Sequence, residues 1–443
     1  MNEDCKPNSL HVAIMQVLFF TSSGGGIGGL ACAVALKNHS NLKIDLYEQA
    51  AQITEIGAGV TIWPRTWEIL KSLGLANDLS VLLKEPPSNV QSKEVAFEMR
   101  LSDRKEGFTF RKIYTRDGGF CFHRADLQTA LLRQIPDFCQ IHLSHRLERC
   151  EESVNSVKLI FENGLNTSCD VAIGADGIKS VVRKYVSNSE ELVFTGSRAF
   201  RGLVPREKIE RLYPNHRALV NAVMYNGKSK HIVVYPINGG RLINIAAFIS
   251  HPEDEGKVLS DLNVRRANTG EILRAFSEWE PEAIQLLSTI QNPSCWPIQD
   301  LRPLKTYTSR RILLLGDAAH AMTPHLGAGA GQAIEDGFVL GYLFDNLMQP
   351  NDPECLLRLI KVYDSIRRPF ANHLQKNSRK QGYYNELNMP EFDDIQFEGQ
   401  KLETQQIIAL GSALRESWDS WWQDCALADL KQVIQILQAQ TKI

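Results

Sequence analysis

In His231-Ile232-Val233-Val234-Tyr235 an imidazole and a phenol stand four residues apart across a β-branched run. The run reads as a strand. Side chains alternate across a strand, so His231 and Tyr235 project from one face. An imidazole with a pKa of about 6.5 beside a phenol hydroxyl can accept a proton and pass it on. The same spacing also suits a sheet-surface histidine beside a core tyrosine, and spacing alone leaves both roles open. Arg201, in Ala199-Phe200-Arg201-Gly202, can hold a phenolate or carboxylate by charge-assisted hydrogen bonds, or close a surface ion pair. His325 lies in a proline-led turn, Pro324-His325-Leu326-Gly327-Ala328-Gly329-Ala330-Gly331, where it can face a ligand or pack.

Two glycine-rich segments supply a second kind of chemistry. Gly24-Gly25-Gly26-Ile27-Gly28-Gly29 fits G-x-G-x-x-G. Gly24 permits the tight turn, Gly26 lets the backbone approach a pyrophosphate, and Gly29 lets a helix pack on the sheet. Amides at that helix start face the phosphates. Glu48, 24 positions after Gly24, ends an alternating run, Lys43 to Tyr47. The dinucleotide fingerprint places its ribose-binding acid about 20 positions on. The alternative is a glycine-rich turn with no ligand. The fingerprint occurs once, which predicts one tightly held dinucleotide and at most a transient second. Further on, Gly316-Asp317-Ala318-Ala319-His320 follows the apolar strand Ile312 to Leu315 and precedes a helix, Gln332 to Leu347. Asp317 can bind a ribose-type hydroxyl. The helix starting near Gly329 points its positive end at a group that becomes negative. His320, across the turn, reads as structural. The two segments describe opposite ends of one elongated cofactor.

These motifs need two bodies to position them, and 443 residues suffice. The 49 basic and 51 acidic residues nearly cancel, which gives no basic footprint for nucleic acid. The nine cysteines form no C-x-x-C pair and no zinc spacing, so no metal is expected and a reducing compartment is. The apolar run Leu10 to Phe20 is shorter than the roughly 20 residues of a membrane span, and its acidic flank is unlike a secretory signal. A first strand, no stable membrane insertion and a cytoplasmic location are expected.

Along the chain, Leu30 to Lys37 and Asp126 to Gln134 read as helices. Val95 to Met99, Phe108 to Ile113 and Val171 to Ile173 read as strands. Ala199 to Val204, Val220 to Tyr225, His231 to Tyr235 and Leu242 to Ile249 follow without intervening helices, which predicts a largely antiparallel sheet. Helical signals return at Thr269 to Trp279, Glu282 to Ile290 and Gln400 to Leu437. The expected fold is α/β. A Rossmann-like dinucleotide-binding domain (10–80, 118–190 and 297–385) carries an inserted, mostly antiparallel substrate domain (81–117 and 191–296). A helical segment (386–443) ends the chain.

The motifs resemble those of FAD-dependent aromatic hydroxylases of the salicylate hydroxylase type, in order along nearly the whole chain. Gly24 to Gly29 is similar to the first FAD motif, and Gly316-Asp317 to the second. Phe122-His123-Arg124-Ala125-Asp126-Leu127 resembles the segment whose arginine, here Arg124, approaches FAD. Gly174-Ala175-Asp176-Gly177-Ile178-Lys179-Ser180 resembles the family's D-G motif, which would give Asp176 a contact with FAD or NAD(P)H. Glu55-Ile56-Gly57-Ala58-Gly59, and Pro324 with Gly327, Gly329 and Ala330, resemble loops lining the flavin. His231, Tyr235 and Pro236 match the active-site pattern of relatives acting on hydroxybenzoates and hydroxynicotinates. Arg201 matches an arginine that engages a substrate phenolate.

The resemblance implies bound FAD, transient NAD(P)H, O₂, and a flavin 4a-hydroperoxide that hydroxylates a phenolic aromatic acid. Decarboxylation would follow attack at the carboxylate-bearing carbon. A dearomatising or simple hydroxylase, or a non-catalytic interaction protein with a disabled FAD site, are the alternatives, as monomer or homodimer. The W-x-W-x-I-P signature of flavin halogenases is absent. Two departures stand out. His11 to Ile14 already reads as the first strand, yet Met15 to Ser23 precede the glycines. Either Val17 to Phe20 replaces the strand, or the stretch is an insertion that weakens FAD binding. Where relatives have Pro-Asn, this chain has Trp63-Pro64-Arg65-Thr66, which is expected to reshape the pocket.

Overall fold

A computed structural model describes residues 10–16, 26–39, 41–52, 59–83, 93–116, 119–187, 192–258, 263–347, 354–422, 426–427 and 430–431. Its first sheet has five parallel strands in the order Ile312–Leu314, Val171–Ala175, Leu10–Gln16, Leu42–Glu48 and Cys139–His142. The Leu10–Gln16 strand is central, and its Val12 to Gln16 are buried, as an apolar run in a parallel sheet must be. The first strand is therefore the His11 to Ile14 one. The Val17 to Phe20 alternative, and Gly24 and Gly25, lie outside the described residues.

The topology brings distant segments together through small residues. Helix Ile27–Ala35 follows the glycine loop, and helix Gly329–Leu347 follows the second motif. The two helices pack backbone to backbone. A Cβ on Gly337 would lie 2.7 Å from the Cys32 nitrogen, and one on Gly341 2.6 Å from the Ala35 oxygen. Any larger side chain at these positions would push the helices apart.

The second sheet has eight strands, in the order Arg265–Arg266, Ser294–Leu301, Leu192–Pro205, Leu242–Ser250, Lys230–Ile237, Val223–Gly227, Lys93–Leu101 and Phe108–Arg116. All pairings are antiparallel except that of Val223–Gly227 with Lys93–Leu101. One face buries Phe200, Tyr225, Ile232, Val234 and Ile245 against helices Thr269–Ala275 and Pro281–Ser288. The opposite face carries the residues one position out of step.

Several expectations shift. Val220 is 80% exposed in a turn, and its strand begins at Val223. The helix at Thr269 ends at Ala275, not Trp279. The indole of Trp279 instead donates to Glu398 at 2.9 Å. The tail helix is Thr404–Asp419. Trp418, Trp421 and Trp422 are buried with Trp63 and Phe97. The 31-residue helix Cys355–Asn385 carries Pro369 inside it, a residue that reads as a helix breaker and hid the element. No helix among the described residues is long and apolar enough to cross a membrane.

Candidate functional site

The free face of the large sheet is assembled by register. Phe248 pairs with both His231 and Ala199, Ala246 with both Val233 and Arg201, and Asn244 with both Tyr235 and Leu203. Directly paired residues share a face. His231, Tyr235 and Arg201 therefore stand together with Phe248 over a floor of small residues, Ala199 and Ala246. His231 and Tyr235 do share a face, as expected, but their Cα atoms are roughly 13 Å apart at about 3.3 Å per residue. They occupy different ends of the site.

At one end, the His231 ring is 0% exposed and stacks on Phe248 at 4.3 Å with planes 3° apart. Its Nδ1 lies 2.8 Å from Oε1 of Glu386, which is 3% exposed. Its Nε2 is buried with no partner among the described residues. His325 approaches edge-on at 5.1 Å. Burial, then His231, then Arg379 push the His325 pKa well below its ordinary value, so this imidazole is neutral near pH 7. The His325 turn is held by Trp63, whose Nε1 donates to the Leu326 carbonyl at 3.1 Å. The departure at Trp63 thus buttresses the turn that carries His325.

At the other end, a Cβ on Gly59 would lie 2.9 Å from the Tyr235 hydroxyl, so this loop residue abuts the sheet face. Burial, reinforced by Cys121, pushes the Tyr235 phenol up, while Arg201 acts against them. Burial is also the largest influence lowering the Arg201 pKa, with Tyr235 opposing and Arg124 adding. Arg201 remains a cation at any accessible pH. Its Nε is buried with no partner among the described residues, and its guanidinium lies 5.2 Å from the Trp296 ring centre. Arg124 opens the helix Arg124–Arg133, after the Phe120–His123 strand that pairs with Gly59–Ile62.

The cradle for a dinucleotide lies between the two glycine motifs. Gly26 has φ +88° at the start of its helix, a conformation that favours glycine. A Cβ on Gly28 would lie 2.8 Å from Cδ1 of Leu315 and 3.1 Å from Cβ of Ala333, so the first motif touches the second. Gly29 lies against Gln16, whose amide is 2% exposed with neither polar atom partnered among the described residues. Glu48 is fully buried and accepts from the Ala50 amide at 2.7 Å. Asp317 is 2% exposed and opens the short helix Asp317–His320. Pro324 opens a single turn, Gly327 has φ +57° as its cap, and Gly329 and Ala330 begin the long helix. A buried amide without a partner among the described residues, set against a helix start, with a buried carboxylate on the adjoining motif, fits a pyrophosphate-linked cofactor. Glu55 to Ala58 lie outside the described residues.

Two motif residues have inward partners. Asp176 accepts from Ser180 Oγ at 2.5 Å and from the Val181 and Val182 amides, so both its oxygens serve its own turn. Burial, which outweighs these bonds, raises its pKa. His320 meets Asp336 at 2.6 Å inside a buried network. There Asp336 also accepts from Arg367 and the Gly316 amide, and Glu335 binds Arg65 and Arg367. That network clamps the Gly316-Asp317 turn to the Gly329–Leu347 helix.

Sequence reasoning missed Glu386, Phe248, Gly382 and Gln16. Phe248 could have been found by aligning strand phases. Glu386 and Gly382 sit in Gln381-Gly382-Tyr383-Tyr384-Asn385-Glu386, which has no local signature.

Residues 23–378 match the FAD binding domain family. The chain is 35% identical to a salicylate hydroxylase of Pseudomonas putida over 378 residues, 83% of this chain and 86% of that one. It is 32% identical to the 6-methylsalicylate 1-monooxygenase of Aspergillus terreus, over 73% and 74% of the two chains. A solved salicylate hydroxylase substrate complex matches with a TM-score of 0.80 at 29% identity, over 96% of this chain and 98% of that one. With this cradle at its centre, the chain belongs to the FAD-dependent aromatic monooxygenases.

Proposed function

We propose that this enzyme hydroxylates a small phenolic carboxylic acid of the salicylate or 4-hydroxybenzoate kind. The observation that carries the reading is the pairing of chemistries on one sheet face. A basic nitrogen, His231 Nε2, stands at one end, and a cation, Arg201, whose Nε has no partner among the described residues, stands one register row on and two strands across. Between them lie Ala199, Ala246 and Val233, a floor suited to a flat ring. The relatives named for salicylate and 6-methylsalicylate fit that class.

Bound FAD, reduced by NAD(P)H, supplies the oxygen-transferring chemistry. Gly26, Gly28, Gly29, Gln16, Glu48, Arg124 and Asp317 would hold it. The protein's own side chains do the rest. Arg201 binds the anionic oxygen of the substrate, with Tyr235 beside it. His231 Nε2 accepts the phenol proton, which makes the ring electron-rich. Phe248 and the alanine floor exclude water. In the overall balance one atom of O₂ joins the ring and the other leaves as water, with two electrons from NAD(P)H. Where oxygen enters at the carboxylate-bearing carbon, CO₂ departs and a catechol or hydroquinone remains.

The test is NAD(P)H oxidation across a hydroxybenzoate panel, with product masses. Gain of one oxygen with loss of CO₂ supports the decarboxylating form. Gain of oxygen alone assigns a plain hydroxylase. No turnover of any phenolic acid by flavin-loaded enzyme overturns the substrate class.

A further inference from the structure

We infer that Glu386, the residue capping the Cys355–Asn385 helix, is the positioning residue that fixes His231 in the tautomer whose Nε2 faces the substrate. This rests on the reading that His231 takes the substrate's phenolic proton.

A carboxylate at 3% exposure is expensive unless paired. Glu386 has one side-chain hydrogen-bond donor among the described residues, His231 Nδ1–H at 2.8 Å. His320 provides an internal contrast. Its partner Asp336 is also bound by Arg367 and the Gly316 amide, so that charge is balanced without the histidine. Among the described residues no second donor, and no cation, engages the Glu386 carboxylate. Arg379, on the same helix, is committed to Asp300 and Glu255. Lys230, on the histidine's own strand, is committed to Glu398. From the Pro324–Leu326 turn His325 is held neutral.

A carboxylate that accepts from Nδ1–H leaves Nε2 as the acceptor, and it stabilises the imidazolium once the proton arrives. Phe248 stacking at 4.3 Å fixes the ring plane. The helix end is itself anchored, because the Glu386 carbonyl accepts from the Ser229 amide at 2.8 Å. One turn earlier, on the same helix face, Gly382 leaves room for His325. One helix face therefore seats both site histidines.

The experiment uses flavin-loaded wild type, Glu386→Gln and Glu386→Asp. The first readout needs no turnover: the ionised fraction of a bound nitro-substituted hydroxybenzoate, from its phenolate absorption near its own ionisation pH. The second is kcat against KM for a turned-over phenolic acid. Glu386→Gln is expected to bind ligand and FAD, lower the phenolate fraction, and cut kcat about tenfold or more with KM nearly unchanged. Glu386→Asp should fall between. Wild-type phenolate fraction and kcat in Glu386→Gln would overturn the inference. If that variant does not fold, wild-type values in Glu386→Asp would overturn it. A wild type that ionises and hydroxylates no phenol removes the parent reading instead, a distinct result.

Discussion

A Cβ placed on Gly382 would lie 2.5 Å from Cδ2 of the His325 ring. The glycine sits inside a long helix, where it is less favourable than alanine by about 1 kcal/mol. Its presence there weakens the helix and makes room for the imidazole. Gly382→Ala gains about 1 kcal/mol of helix preference but overpacks the buried ring at a cost of about 1–3 kcal/mol, so it is expected to melt at or below the wild-type temperature and to hydroxylate more slowly, because the ring must move. A variant with raised or equal Tm and wild-type kcat would show that the His325 position is immaterial.

The two ends of the site predict separable losses. His231→Ala removes the proton acceptor and should slow hydroxylation about 100-fold, the lower range for general acid–base catalysis. Tyr235→Phe removes a hydroxyl that stands near Arg201 and Gly59, at the other end, and should cost less in kcat than in KM. Both should keep wild-type flavin per chain, since neither belongs to the cradle. Flavin absorbance and steady-state rates check each part. Normal hydroxylation by both variants removes these assignments.

The fold was largely readable because its motifs obey local rules. The Gly24 to Gly29 loop, the Ile312 strand with Asp317, and the alternation of His231 to Tyr235 each announce an element within a few residues. The site was half readable for the same reason. Alternation placed His231, Val233 and Tyr235 on one face, but it could not say that Phe248, Ala246, Ala199 and Arg201 flank them from two other strands. Glu386 lies 155 residues from its partner His231, and no periodicity encodes that contact. The length of the Cys355–Asn385 helix was concealed by Pro369, a local signal overridden by packing on both sides. The inward use of Asp176 was equally hidden, because its partners Ser180, Val181 and Val182 lie in the same motif that suggested a ligand.

That difference gives two carboxylates opposite signatures. Asp317→Ala should lower flavin occupancy by more than any change in the Tm of the flavin-free protein accounts for. Asp176→Ala strips a buried turn of its acceptor and leaves the Val181 and Val182 amides unpaired, at about 1–3 kcal/mol. It should lower Tm in the flavin-free protein and release flavin only as a consequence. Flavin content and thermal melts of the apo and loaded forms separate the two cases. Unchanged occupancy in Asp317→Ala would remove its cofactor role.

The clamp beneath the second motif predicts a stability loss. Arg367 is 1% exposed and binds Glu335, Asp336 and Gln332. Arg367→Met leaves two buried carboxylates short of a cation and should cost about 3–5 kcal/mol. A melting temperature within a degree of wild type would show the network to be dispensable.

His325 makes acid stability part of the site. Burial first, then His231 and Arg379, hold its folded-state pKa well below the ordinary value. The unfolded chain takes up this proton at about pH 6.5, while the folded chain does not. Folding is thus favoured above that pH, and the favour shrinks as pH falls below it, by about 1.4 kcal/mol per pH unit until the folded pKa is reached. His325→Phe removes the titrating group. Comparing melting temperatures of wild type and variant from pH 8 to pH 5, their difference should be flat above about 6.5 and turn against the wild type below it. A difference that stays constant over the whole range would mean that His325 charges freely within the fold.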